Sequence, residues 1–245
     1  MKKEIMSTSG TVKIATVVFI FFGSLSGCKK DGHENMPPAQ HGCRVIYFTT
    51  NVRDTSFISY NSDGSINSIR ETNGSVTSYT YAGNMVTLNK TGLTGFEFRT
   101  IVAVNSIGLA TNVRMEFNSQ GTNWINVTYE YNNDQVSRSI VTLSNPGIVD
   151  TGNFTWQNGN PVSVSDGTTV SHYDFDMNSP HQLGDYFSLV QLLTGFEVVR
   201  PKNLIKSQDQ TTFSYVFSAD GHISSITETP PNAAAITNGF VYECY

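Results

Sequence analysis

The stretch Tyr60-Asn61-Ser62-Asp63-Gly64-Ser65-Ile66-Asn67-Ser68-Ile69 decides the fold class. An aromatic residue ends one alternating run, Asp63-Gly64 turns the chain, and Ile66 and Ile69 open the next run. Gly tolerates a positive φ and Asp can bond its own backbone, so the pair suits a two-residue hairpin turn. The unit returns as Phe217-Ser218-Ala219-Asp220-Gly221-His222-Ile223-Ser224-Ser225-Ile226. Looser copies end in Tyr79-Thr80-Tyr81, Phe117, Tyr129-Glu130-Tyr131 and Phe154-Thr155-Trp156, each followed by Asn- or Gly-containing turn residues. The pattern predicts a string of aromatic-ended β-hairpins.

Working outward, period-two alternation predicts strands at 43–48, 55–60, 65–70, 76–81, 85–88, 96–104, 109–117 and 124–131. It continues at 136–143, 152–156, 161–164, 168–177, 204–206, 211–217, 222–227 and 240–245. Such alternation marks antiparallel strands with one buried face and one wet face. The segment 182–193 departs from it. Apolar Leu183, Tyr186, Phe187, Val190 and Leu193 fall on one face of a helix that opens after Pro180 and closes at Gly195. The expected architecture is all-β, a long curved antiparallel meander, either an open sheet or a half-barrel, packed against that one amphipathic helix. Residues 43–245 form a single domain in this reading.

Composition narrows the classes. Charged residues make up 14% of the 245 residues, with Ser, Thr, Asn and Gly filling exposed positions, and the net charge is −5. Phosphate backbones require a clustered positive footprint, so nucleic acid is not an expected partner.

The N-terminus carries the sharpest functional signal. Lys2, Lys3 and Lys13 precede an apolar run from Ile14 to Leu25, then Ser26-Gly27-Cys28. A basic start, a short apolar region and small residues before a cut describe a secretory signal, here residues 1–27. The run is too short for a spanning helix, which needs about 20 residues. Leu25-Ser26-Gly27-Cys28 resembles the lipobox of bacterial lipoproteins. That resemblance implies cleavage before Cys28, acylation of its sulfur, and attachment to a membrane through the lipid. Lys29 in place of Asp favours the outer membrane, on its cell-surface or periplasmic face. Residues 28–42, with Pro37-Pro38, read as a tether, and His33 and His41 within it read as solvated.

The aromatic-x-aromatic, turn, Ile/Val-x-x-Ile unit resembles YD-type repeats. Together with the lipobox, Tyr173-Asp174-Phe175-Asp176-Met177-Asn178-Ser179-Pro180, the helix and Pro201-Lys202-Asn203-Leu204-Ile205, it is similar to uncharacterised Bacteroidetes-type lipoproteins. Those carry a domain of unknown function with a tyrosine-rich antiparallel sheet. The resemblance implies a fold and an address and supplies no chemistry.

Candidate binding residues are few. His172, Asp174 and Asp176 alternate along one predicted strand and so share a face. They could contribute to a polar ligand site, or they are simply the wet face of an amphipathic strand. Trp124 and Trp156 could stack on a sugar or grip a peptide, and core packing is the other reading of each. Glu97, Glu116, Glu130, Asp185, Glu197 and Glu228 are scattered carboxylates that spacing does not pair. The chain lacks a Gly-x-Ser-x-Gly elbow, a His-Glu-x-x-His helix, a phosphate loop and a dinucleotide fingerprint. No catalytic residue, metal site or cofactor is expected from the sequence. The last residue, Tyr245, is aromatic as in outer-membrane barrels, but Glu243 would then face lipid, which argues against a spanning barrel.

Three cysteines are an odd number for an exported chain. With Cys28 lipidated, Cys43 and Cys244 remain, either as buried thiols or as a disulfide. A bridge would need their Cα atoms about 4.4–6.8 Å apart and would bring the two ends of the domain side by side. The functional reading is a lipid-anchored envelope protein that binds or scaffolds a glycan or protein ligand. A hydrolase working through paired carboxylates and a carrier of apolar ligands or lipid are the alternatives.

Overall fold

A computed structural model describes residues 42–51, 53–145 and 149–245. Cys28, His33, His41 and the rest of the predicted signal and tether up to residue 41 lie outside the described residues. The strands are β1 (Cys43–Thr50), β2 (Arg53–Tyr60), β3 (Ile66–Glu71), β4 (Val76–Ala82), β5 (Met85–Gly92), β6 (Gly95–Val104), β7 (Ala110–Glu116) and β8 (Trp124–Asn132). They continue as β9 (Gln135–Leu143), β10 (Val149–Gln157), β11 (Asn160–Ser165), β12 (Val170–Pro180), β13 (Asn203–Gln208), β14 (Thr211–Phe217), β15 (Ile223–Thr229) and β16 (Ile236–Cys244). The helix α1 (Tyr186–Thr194) sits between β12 and β13.

Each strand pairs antiparallel with its sequence neighbour, and β1 pairs with β16, so the sixteen strands form a closed barrel. The expectation of an open sheet or half-barrel is corrected. Closure pairs Cys43 with Cys244 and Phe48 with Phe240 across the seam. Cys43 and Cys244 are joined by a disulfide, with their Cα atoms 4.0 Å apart.

The two faces of the wall follow from the alternation. One inner row runs Val86, Val102, Val113, Val127, Val141 across five consecutive strands, and every member is buried. One outer row runs Ser59, Ser68, Ser78, Asn89, Arg99, Glu116, Trp124 across β2 to β8. Apolar side chains fill the inside and hydroxyls, amides and charges cover the outside. Phe57 (48% exposed), Val216 (58%), Val170 and Val241 are exceptions on the outer wall, and Phe57 and Val241 flank Tyr47 in register. Glu243 faces outward, as the alternation requires, and is paired with Arg44 at 2.6 Å.

The repeated aromatics have a structural explanation. Tyr60, Tyr131, Tyr215 and Tyr242 stand inside the barrel, near the ends of alternate strands that run toward one rim. Their hydroxyls donate to the carbonyls of Val45 (2.6 Å), Ala110 (2.7 Å), Ile205 (2.9 Å) and Ile223 (2.6 Å). Each ring contributes apolar area while its hydroxyl finds a backbone acceptor inside the barrel. The Asp-Gly turns are longer than the two residues expected. Asn61 N–H donates to Ser65 O (2.8 Å) and Gly64 N–H to Asn61 O (3.0 Å), which makes a five-residue loop, and residues 218–222 repeat both bonds. Gly64 and Gly221 hold φ of 86° and 88° there.

Candidate functional site

The long connection between β12 and β13 folds into the barrel. His181 N–H donates to Lys202 O at 3.0 Å, which pinches the two ends of residues 181–202 together. Between those ends the chain crosses the interior as a plug. Asp185 caps α1, its Oδ1 accepting Ser188 N–H at 2.9 Å, and Gly195 ends the helix in a left-handed conformation. Phe187 stacks on Phe175 of β12, and Tyr79 of β4 donates its hydroxyl to Leu192 O. Beyond the helix, Ala110 N–H donates to Glu197 O and the Tyr131 hydroxyl to Val198 O (3.3 Å). Asn160 receives the chain as it leaves, its Oδ1 accepting from Lys202 and Asn203 N–H at 2.9 and 3.0 Å.

The helix is shorter than predicted and its stripe is broader. Phe187, Ser188, Leu189, Val190, Gln191 and Leu192 are buried, and Leu193, expected inside, is 43% exposed. A plug touched by wall strands on several sides has no single dry face. Two charged groups are carried in with it. Asp185 is fully buried and bonded to His181 Nδ1, and Glu197 is paired with Arg200. Burial lowers the His181 pKa, but Asp185 more than offsets this and the net direction is upward.

A cavity of about 260 Å³ lies toward the opposite rim, lined by Tyr186, Gln208, Asp209, Gln210, Thr211, Glu228 and Pro231. Gln208 and Thr211 flank the β13–β14 turn, Glu228 projects from β15, and Tyr186 reaches up from the first turn of α1. Glu228 is placed inward by its register, two residues beyond buried Ile226. Burial raises its pKa above the ordinary carboxylate value. The Tyr186 ring packs on Phe213 at 4.7 Å and on Phe187 at 5.4 Å, so its hydroxyl end is presented by a fixed aromatic cluster. Across the same rim Lys90 bonds Glu71 at 2.7 Å and approaches Glu97 at 3.7 Å. The arrangement offers amide, hydroxyl and carboxylate groups around one aromatic face, a set suited to hydrogen-bonding a polar ligand.

The candidate ligand residues Trp124, Trp156, His172, Asp174 and Asp176 do not line this cavity, although His172 N–H donates to Asp209 Oδ1 at 2.7 Å just behind it. Trp124 lies on the outer wall with the Arg114 guanidinium 4.6 Å over its ring. Trp156 points inward and donates Nε1–H to Val136 O at 2.7 Å. The barrel wall therefore separates the two. His172 and Asp174 are exposed on β12, and Asp174 accepts from Ser207 Oγ at 3.2 Å. Asp176 accepts from Asn178 N–H and Ser179 Oγ, and the Ser179 bond holds its pKa low. Sequence reasoning noticed Tyr186 and Glu228 singly and missed Asp209. The period-two position of Glu228 was the available signal; the turn that brings Asp209 beside it left none.

No family model matches the chain, and no curated protein matches it in sequence. The likeness to YD-type repeats therefore rests on the hairpin pattern alone. Among solved structures the fold is similar to the crystal structure of a porin-like protein from Bacteroides uniformis ATCC 8492. The TM-score is 0.55 at 15% identity, covering 81% of this chain and 98% of that one. The chain thus shares a porin-like β-barrel fold, and that likeness speaks to fold alone.

Proposed function

We propose that the protein is a water-facing binding barrel of the bacterial envelope. A lipid on Cys28 holds it at the outer membrane, and the cavity at the open rim takes a polar ligand, with a glycan as the leading class. The observation that carries this reading is the polarity of the wall. A membrane-spanning barrel needs an outward apolar band about 25 Å tall and a polar interior. Here the outer row of Ser, Asn, Arg and Glu and the inner row of Val reverse that arrangement. A sixteen-strand barrel is wide enough for an aqueous channel, but residues 181–202 and the inward Tyr, Phe and Val side chains occupy this interior. The likeness to a porin-like protein is thus read as shared architecture without conduction. The same filling disfavours a lipid carrier, which would need a deep apolar groove.

Three measurements test this. Wild-type protein should partition with outer membranes and Cys28→Ser should become soluble. The purified protein should produce no stepwise conductance in planar bilayers. Oligosaccharides screened by intrinsic fluorescence should bind wild type and bind Glu228→Gln at least several-fold more weakly. Stepwise conductance would refute the water-facing assignment. A second reading, hydrolysis, draws on Glu228 and Asp209 lining one cavity with Glu228 shifted toward an acid's range. Release of reducing ends by wild type, abolished in Glu228→Gln, would select it.

A further inference from the structure

Three residues far apart in the chain meet where the barrel closes. Cys43 begins β1, Cys244 ends β16, and His222 lies in the turn before β15. One ligand atom from each falls within 4.8 Å of the other two. His222 Nε2 is 3.5 Å from Cys43 Sγ and 3.7 Å from Asp220 Oδ2. The imidazole is 7% exposed and stacks on Tyr242 at 5.2 Å, so its direction is set by packing. Its Nδ1 has no hydrogen-bond partner. A buried imidazole normally finds partners for its nitrogens. This one leaves Nδ1 unpaired and turns Nε2 toward the Cys43 sulfur, with the Asp220 carboxylate 3.7 Å away.

We propose that reduction of the Cys43–Cys244 disulfide turns this seam into a binding site for a zinc-type divalent cation. Two thiolates and an imidazole nitrogen supply three ligands of the tetrahedral set zinc favours, with bonds of about 2.3 Å to sulfur and about 2.0–2.1 Å to nitrogen, and water takes the fourth position. Neutral His222 would present the Nε2 lone pair and keep its proton on Nδ1. The chemistry balances with a dithiol as reductant. Exchange breaks the Cys43–Cys244 bond, forms a disulfide in the dithiol, and leaves two protein thiols carrying the dithiol's two protons. The cation then displaces those two protons to solvent. Bonded sulfurs cannot both act as thiolate ligands, so bridge and cation exclude one another. Either one ties β1 to β16, and the barrel keeps a cross-link at its seam in both redox states.

The test uses the full chain carrying Cys28→Ser, which removes the third thiol. The protein is reduced with a phosphine and titrated with Co²⁺ as a coloured substitute for zinc. The expected result is one Co²⁺ per chain with a thiolate-to-cobalt charge-transfer band and strong tetrahedral d–d bands, absent before reduction. Zinc should bleach both bands. His222→Ala should weaken binding at least tenfold, and Cys244→Ser should cut the charge-transfer band to half or less while far-ultraviolet circular dichroism shows an intact sheet. The proposal is overturned if the reduced chain gives no thiolate–cobalt band, if it loses its sheet signal on reduction, if the oxidised chain gives the same band, or if His222→Ala binds as tightly as its parent.

Discussion

Phe187→Ala tests whether residues 181–202 are an integral plug or a loosely inserted loop. Phe187 is 4% exposed, lies nearly parallel to Phe175 at 6.3 Å, and meets Tyr186 edge-on at 5.4 Å. Truncating a buried Phe costs about 3–5 kcal/mol through lost transfer energy and the cavity left behind. The two aromatic contacts place the value toward the upper part of that range. For a domain of this size each kcal/mol moves the melting temperature by about 2–4 °C, so a drop of roughly 6–20 °C is expected. Circular dichroism melts of wild type, Phe187→Ala and the control Leu193→Ala provide the measurement. Leu193 is 43% exposed, and its truncation should change stability by only about 0.5 kcal/mol. If Phe187→Ala melts within 2 °C of wild type, or no lower than the control, the helix does not contribute to the barrel's core and the plug assignment fails.

Gly195→Ala should destabilise the fold by more than the ~1–2 kcal/mol of a left-handed non-glycine residue. The added Cβ would also stand 2.5 Å from Tyr79 Cε1, and the midpoint of urea unfolding reads the loss. Glu228→Gln should alter the pH dependence of stability. Because the folded pKa is raised above the ordinary 4.5, the native carboxyl holds its proton more tightly than the unfolded one. Its contribution to stability is therefore fully present below that value and is lost as pH rises through the folded pKa. The variant should gain on wild type at pH 7–8 and lose that advantage near pH 4; a gap that widens on acidification contradicts the assignment. Trp124→Ala separates a ligand site on the outer wall from one at the rim, since it should leave oligosaccharide binding unchanged while Glu228→Gln weakens it.

The sixteen strands were legible because each buries one face, and the alternation of residues such as Val86, Leu88, Val102 and Val113 records that locally. Barrel closure was not. Whether β16 returns to β1 depends on twist and stagger accumulated over every intervening strand, and no local pattern encodes that sum. The odd cysteine number offered a hint, because a bridge between Cys43 and Cys244 requires adjacent ends. The helix could be located from its spacing, but its surroundings could not. A stripe assigned from a single face put Leu193 inside and overlooked Leu189 and Leu192, since periodicity assumes one packing partner and the plug has several. The hairpin turns were placed correctly and given the wrong length, because the backbone bond between Asn61 and Ser65 belongs to the loop as a whole. The seam cluster was invisible for the same reason as closure. Cys43, His222 and Cys244 follow no shared spacing, and only the completed ring brings them together.

The two ends of the plug and the disulfide share one rim, and Cys43, the first residue of β1, stands on it. That shared position gives the barrel a direction. Glu228 stands five residues beyond Ile223, which opens β15 at that rim, and at about 3.3 Å per residue in a tilted strand this puts the cavity ~13–17 Å from the rim where the chain enters. A surface held against Cys43 would meet that rim, with the cavity at the far end of the barrel.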